Sequence, residues 1–304
     1  MSRHYHSLLN VLTSAAFSYA KSSYHQDEAD PTPTITGTPG GTFSATPSGL
    51  SINTSTGTID LENSTIQSYT ITYTVSGVSA NQTLAVTASP FIANNFSMDF
   101  DSASSQFIQT NYDANLIGNS PQSFSMWFKS KSTGIKFKAL MGQYQENSLH
   151  GWGIEIGQPS NLDKITWFSR NNSIDRTSYG SALTQNQWHH LVLVINSASL
   201  NNVNYSIYLD GTALVENATT SNYDNTSVLN SFQINNKYAN QAFYGGGDFV
   251  IDEVAIWNAA LSSDAVTEIY NATANNTGKV LDLNTDTGNY TSSANLQYWN
   301  RLGD

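Results

Sequence analysis

The chain has no cysteine, few charges and no long apolar run, and each absence removes a class of protein. Without cysteine there is no disulfide framework and no thiolate metal site. The fold must then rest on buried apolar surface, which a domain of about 180 residues supplies unaided. Such a chain suits a reducing cytoplasm, or a bacterial surface protein that does without disulfides. Charged residues are only 12% of the 304, and 12 Lys and Arg stand against 23 Asp and Glu, for a net charge of −11. Nucleic acid is excluded as a partner, because phosphate binding needs clustered basic residues and none cluster here. No stretch approaches the roughly 20 apolar residues that span a bilayer as a helix, so no membrane span is expected.

What is present points to sheets. Asn, Ser and Thr abound, and 16 Tyr, 13 Phe and 6 Trp accompany a hydrophobic content of 39%. Hydroxyl and aromatic side chains suit pleated, half-buried surfaces. Triplets of the form N-x-S/T at Asn53, Asn81, Asn217 and Asn271 follow from that composition and need no glycosylation to explain them.

Residues 1–30 form a segment of their own. Leu9, Leu12, Ala16 and Tyr19 share a face at helical spacing, which predicts an amphipathic helical or extended docking segment for a partner subunit. A competing reading is a signal peptide with Arg3 as its charged end, Leu8 to Phe17 as its apolar stretch and Ser18-Tyr19-Ala20 as the cleavage site. That apolar stretch is diluted by Asn10, Thr13 and Ser14, so docking is the favoured reading. Asp27, Glu28, Asp30, Pro31 and Pro33 mark the linker that follows.

Residues 31–90 alternate short strands with turns. Tyr69, Ile71, Tyr73 and Val75 fall on one face of a strand, and Thr38-Pro39-Gly40-Gly41 and Ser55-Thr56-Gly57 read as turns. From residue 91 the strands lengthen: Phe124-Ser125-Met126-Trp127-Phe128, Trp188-His189-His190-Leu191-Val192, and Phe249-Val250-Ile251-Asp252-Glu253-Val254-Ala255-Ile256-Trp257. Asp210-Gly211 is a hairpin turn. One helix is expected, capped by Ser262, with Asp264 in its first turn and Val266, Ile269 and Tyr270 as its apolar stripe.

Two resemblances follow. Gly41-Thr42-Phe43-Ser44, residues 49–57 and residues 69–75 resemble the putative-Ig, cadherin-like modules of bacterial surface proteins and tailed-phage virion proteins, which implies a spacer. Trp188-His189-His190-Leu191-Val192, then Tyr208-Leu209-Asp210-Gly211, then residues 251–262, together with residues 124–128, resemble the laminin-G-like jelly roll of concanavalin A-like sandwiches. The expected architecture is all-β: a docking segment (1–30), an Ig-like sandwich (31–90), the jelly roll (91–275) and a C-terminal extension (276–304).

Catalytic residues are not expected. Glycoside hydrolysis needs two carboxyls across a cleft. The glucanase pattern Glu-x-Asp-x-x-Glu is absent, and Glu155 stands alone on its strand, where a solvent-facing position is expected. His189 and His190, as strand neighbours, point to opposite faces and cannot share one metal. The jelly-roll resemblance implies a structural calcium, for which Asp99, Asp101 and Asp252 are the candidates against a reading as ordinary strand-end carboxylates. Tyr144, Trp152, Tyr179, Tyr223, Tyr238 and Tyr244 lie near strand ends and are candidates for stacking on sugar rings. Two functions remain open. One is a tailed-phage virion protein (capsid fibre, decoration or tail-associated adhesin), homo-oligomeric, docked to other virion subunits and binding a host surface glycan or protein. The other is a polysaccharide-binding adhesin, secreted or on the bacterial cell surface.

Overall fold

The computed structural model describes residues 12–104, 106–145, 150–224, 231–236, 246–275 and 278–302. The chain divides into two compact units, Met1–Pro90 and Phe91–Asp304.

In the first unit the main sheet runs in the order Ser23–His25, Val78–Thr87, Gln67–Val75, Thr42–Thr46. Its two long strands form a hairpin through Ser76 and Gly77, both in the left-handed region (φ 49° and 79°), as a two-residue turn between twisted strands requires. Tyr69, Ile71, Tyr73 and Val75 are all buried, so the expected period of two holds.

Of the two forms expected for the N-terminal segment, helical or extended, the described residues take the extended one. Leu9 lies outside them. From residue 12 the chain is extended: Ala15 and Tyr19 are buried and Phe17 half-buried, while Leu12 and Ala16 are exposed. Phe17–Ser18 pairs with Thr34–Ile35, and Ser23–His25 lies parallel to Val78–Thr87. Apolar residues here fit either period. The strand wins because Phe17 meets Phe43 edge-on at 5.5 Å and packs against Tyr73 at 6.0 Å, while the buried Tyr19 hydroxyl donates to the Gly57 carbonyl. Ala15, Tyr19 and Tyr24 of this segment thus join the core of the first unit, with Phe17 packed against it.

The second unit is a sandwich of two antiparallel sheets. The seven-stranded sheet runs Met98–Asp99, Phe249–Trp257, Gln122–Ser130, Trp188–Ser199, Asn202–Leu209, Thr212–Thr220, with Leu296–Asn300 also paired to Phe249–Trp257. The six-stranded sheet runs Ile108–Gln109, Gln233–Ile234, Lys138–Gln145, His150–Gln158, Asn161–Asn171, Ser173–Tyr179. Between them lies one large core that includes Phe124, Met126, Phe128, Trp152, Trp167 and Ile256.

The outer face of the seven-stranded sheet is buried as well. Val192, Val194, Ala255 and Trp257 pack there against the helix Ser263–Ala274, through Val266 and Ile269, and against Leu281, Leu283 and Tyr290. Ser262 caps that helix by accepting from the Ala265 amide at 3.1 Å. Residues 278–302 are thus part of the unit and not an extension beyond it. Lys279–Leu281 pairs with Phe91–Ala93, and Leu296–Asn300 with Phe249–Trp257. No helix among the described residues is long and apolar enough to cross a membrane.

Candidate functional site

Most of the aromatic residues expected to stack on sugars do other work. Tyr144, Trp152 and Tyr223 are fully buried. Trp152 faces the core on a strand where alternate residues point inward, and its indole donates to the Ala114 carbonyl at 3.0 Å. Tyr223 joins the same core, and the Tyr144 hydroxyl accepts from Arg170 at 2.7 Å. Tyr179 is half-buried and its hydroxyl is bonded to that of Tyr205 at 2.8 Å. Tyr238 and Tyr244 lie outside the described residues. Glu155 is fully buried on the outer face of the six-stranded sheet, not solvent-facing. It accepts from Arg176 at 2.8 Å, and that guanidinium sits 4.8 Å from the ring centroids of both Phe137 and Phe168.

The three calcium candidates do not form a donor set. The Asp99 carboxylate is paired with Lys131, and Asp101 accepts from the Ala103 amide at 2.8 Å and the Ser104 hydroxyl at 3.1 Å. Asp252 is turned to the Asn94 amide. Among the described residues no three His, Cys, Asp or Glu side chains converge as metal ligands would.

His189 and His190 do point to opposite faces. Asp210, the first residue of the hairpin turn, holds both: its carboxylate bonds His189 Nδ1 at 2.7 Å and accepts from the His190 amide at 2.9 Å. His190 is on the outer face, bonded to the Ser125 hydroxyl at 3.0 Å, and burial depresses its pKa to about 4, against a smaller upward pull from Asp210.

In register with His190 across the seven-stranded sheet stand Trp127 and Asp252. The Trp127 ring stacks on His190 (centroids 5.0 Å apart) and on Tyr270 of the helix (5.7 Å), which fixes its orientation. One row along, Trp188 is 36% exposed, with the Lys129 ammonium 5.1 Å from its ring centroid.

Asp252 reaches this face through a β-bulge. The register against Gln122–Ser130 slips between Ser125 and Trp127, and Glu253 takes the left-handed backbone at φ 50°. A bulge of this kind lets two consecutive residues serve the same side of a sheet. Asp252 lines the groove beside Trp127, while Glu253 lines a small adjoining cavity with Ser125 and His190. Glu253 is held by the Trp299 indole at 2.6 Å and the Arg301 Nε at 3.1 Å. Burial is the main cause that pushes its carboxyl up to about 7; Asp252 adds to the rise, and the Trp299 and Arg301 bonds oppose it.

The result is an open groove of about 420 Å³, lined among others by Asn94, Phe96, Trp127, Trp188, Asp252 and Lys279, with the end of the helix above it. Phe96 is 63% exposed. Asn94 Nδ2 donates to Asp252 Oδ2 at 2.9 Å, which fixes the amide with Oδ1 on the other side, and that oxygen is buried without a donor. Of the groove residues, sequence reasoning singled out Asp252 alone. Trp127 and Trp188 could have been found by parity, since each alternates with residues that face the core.

A sequence profile of the family described as the concanavalin A-like lectin/glucanases superfamily matches residues 100–267. No curated protein matches the chain by sequence. Among solved structures, a candidate carbohydrate-binding protein from Bacteroides ovatus superposes with a TM-score of 0.55 at 12% identity, over 94% of this chain and 88% of that one. Looser likenesses are Ruminococcus gnavus IT-sialidase CBM40 (TM-score 0.40, 13% identity, 59% of this chain and 97% of that one) and the heptameric SAP-like pentraxin of Limulus polyphemus (0.35, 14%, 60% and 79%).

Proposed function

The chain belongs to the concanavalin A-like lectin/glucanase superfamily through residues 100–267, and from that premise we propose that it is a non-catalytic glycan-binding protein whose second unit holds a saccharide in the Trp127–Trp188 groove. The observation that carries this reading is the lining itself. Two indoles, one fixed by stacking and one exposed, stand beside an amide–carboxylate pair, Asn94 and Asp252. Aromatic faces with a few placed polar groups suit the apolar face and the hydroxyl edge of a pyranose. The fold likeness to a candidate carbohydrate-binding protein supports the same class.

Binding is favoured over hydrolysis by the carboxylate arrangement. Cleavage of a glycosidic bond uses two carboxyls flanking it. Among the described residues the groove is lined by one carboxylate, Asp252, since Glu253 is turned to Trp299 and Arg301. The virion setting expected from the sequence drew on an N-terminal docking segment; its described part pairs with strands of the first unit, and the present reading does not draw on it. The proposal keeps the surface-glycan half of that expectation and leaves out assembly through the segment.

The test is a glycan array probed with the full chain and with Trp188→Ala. Trp188 is half-exposed and lies outside the sandwich core, so the variant is expected to lose array binding at an unchanged melting temperature. A wild-type chain that binds no glycan, or a variant that binds as wild type does, would overturn the assignment.

A further inference from the structure

Two polar residues of the groove, Asn94 and Asp252, are tied to a distant part of the chain by a closed circuit of bonds. Asn94 Nδ2 donates to Asp252. Asp252 is followed by Glu253, whose Oε1 accepts from Arg301 Nε at 3.1 Å. Arg301 Nη2 in turn donates to the carbonyl of Ala93, the residue before Asn94. One guanidinium thus holds the residue next to each partner of the Asn94–Asp252 pair, Ala93 by its carbonyl and Glu253 by its side chain. Asn94 and Arg301 both lie outside residues 100–267, the stretch that matches the family. We propose that Arg301 is a positioning residue for the groove, setting the Asn94–Asp252 pair for a ligand and making ligand affinity depend on the ionisation of Glu253. This rests on the glycan-binding reading for its ligand, but the geometry it asserts is measurable without one.

The fork matters more than the charge. A planar guanidinium can bond a carboxylate with one nitrogen and a carbonyl with another, which an ammonium on a flexible stem does less well. Asn94 is also fastened by its own amide, which donates to the Gly278 carbonyl at 2.8 Å, so the circuit adjusts a residue already near its place. The charged and titratable groups around Glu253 are Arg301, the adjacent Asp252, His190 across the small cavity, and Lys279 on the strand Lys279–Leu281, whose Val280 and Leu281 line that cavity. His190 is held neutral well below the range in which Glu253 titrates. Glu253 is therefore the group whose change of charge near neutrality alters the grip on Arg301. Affinity should rise as Glu253 ionises and the bond becomes charge-assisted.

The experiment uses the full chain with Arg301→Ala, Arg301→Lys and Glu253→Gln, and two readouts. Hydrogen exchange of the peptide covering residues 91–97, without ligand and relative to the intrinsic base-catalysed rate at each pH, is expected to quicken in Arg301→Ala, to be partly restored in Arg301→Lys, and to show protection that no longer varies with pH near 7 in Glu253→Gln. On an array of neutral and acidic oligosaccharides, Arg301→Ala should weaken binding roughly tenfold, about the worth of one charge-assisted hydrogen bond. Arg301→Lys should fall between it and wild type, and Glu253→Gln should flatten the pH profile. Wild-type exchange in Arg301→Ala overturns the positioning role whatever the array shows. A wild-type chain that binds no glycan defeats the glycan-binding reading, while the exchange result still decides the positioning of the pair. Uniform loss in both arginine variants, with the pH profile unchanged in Glu253→Gln, would reduce Arg301 to a structural residue and also overturn the proposal.

Discussion

The two sheets of the second unit bury their outer faces by opposite means. On the seven-stranded sheet, Trp257, Val192 and Val194 are covered by the helix Ser263–Ala274 and residues 281–290, a mainly apolar closure in which the Trp257 indole donates to the Tyr290 hydroxyl at 3.0 Å and that hydroxyl to the Leu283 carbonyl at 2.7 Å. On the six-stranded sheet, the buried Glu155 is closed by Arg176, itself lying against Phe137 and Phe168. The first device is non-directional and tolerates variation in shape. The second is directional, because each charge relies on its partner to offset the cost of leaving water. The difference shows where a binding site fits most readily. The groove lies on the apolar side, where the cover of helix and strand ends and leaves Trp127 and Trp188 at its margin.

The comparison can be broken most forcefully from the apolar side. Trp257→Ala removes a fully buried ring under the helix and should destabilise the unit by about 4 kcal/mol, read from urea unfolding. Docking of the helix should weaken with it, seen as faster exchange across residues 263–274. A loss below about 1 kcal/mol would mean that the helix adds little to stability.

The charged side comes next. Glu155→Ala leaves the Arg176 guanidinium without its carboxylate and should cost about 3 kcal/mol. Replacing both members with Met should cost far less, because the penalty belongs to the stranded charge more than to the pair. A double replacement as harmful as the single one would show that the pair holds the sheet face together.

The smallest effect sharpens the comparison through pH. Glu253, pushed up to about 7 from 4.5, loses its proton on unfolding between those values, so its share of stability falls as pH rises through that window. His190, depressed from 6.5 to about 4, gains a proton on unfolding in that range, so its share falls as pH drops. Each shift is worth at most about 3.5 kcal/mol at 1.4 kcal/mol per unit, and between about pH 4.5 and 6.5 the two oppose each other, which leaves a small net change. Glu253→Gln should leave melting temperatures that climb with pH through this range, and His190→Gln should leave them falling. Parallel profiles for wild type and both variants would refute the opposition.

The sequence made the sandwich legible because its signals are local. Phe124, Met126 and Phe128 alternate with Ser125 and Trp127, Asp210-Gly211 takes left-handed backbone at both turn residues (φ 52° and 72°), and Ser262 caps the helix it precedes. The groove was harder to read because it depends on a bulge. Ile251-Asp252-Glu253-Val254 scans as a regular strand, which would send one of the two carboxylates into the core. That contradiction was the available clue. The N-terminal segment stayed open between helix and extended chain for another reason: its apolar residues satisfy both periods alike, and only Phe43 and Tyr73, distant in sequence, decide between them. The buried tyrosines failed because a position near a strand end does not say which side of the strand it faces.

The pairing of Phe91–Ala93 with Lys279–Leu281 has a mechanical consequence. Asn94 and Phe96, on the groove, directly follow the first of these strands, and that strand begins one residue after Pro90, where the first unit stops. A pull transmitted by Asn94 and Phe96 would reach residue 90 through a handful of residues, beside the second path through Trp127, Trp188 and Asp252 into the seven-stranded sheet. The strands around Trp152 and Trp167, on the six-stranded sheet, lie on neither path, and the three-residue pair, a short pairing on the first, would act as its fuse.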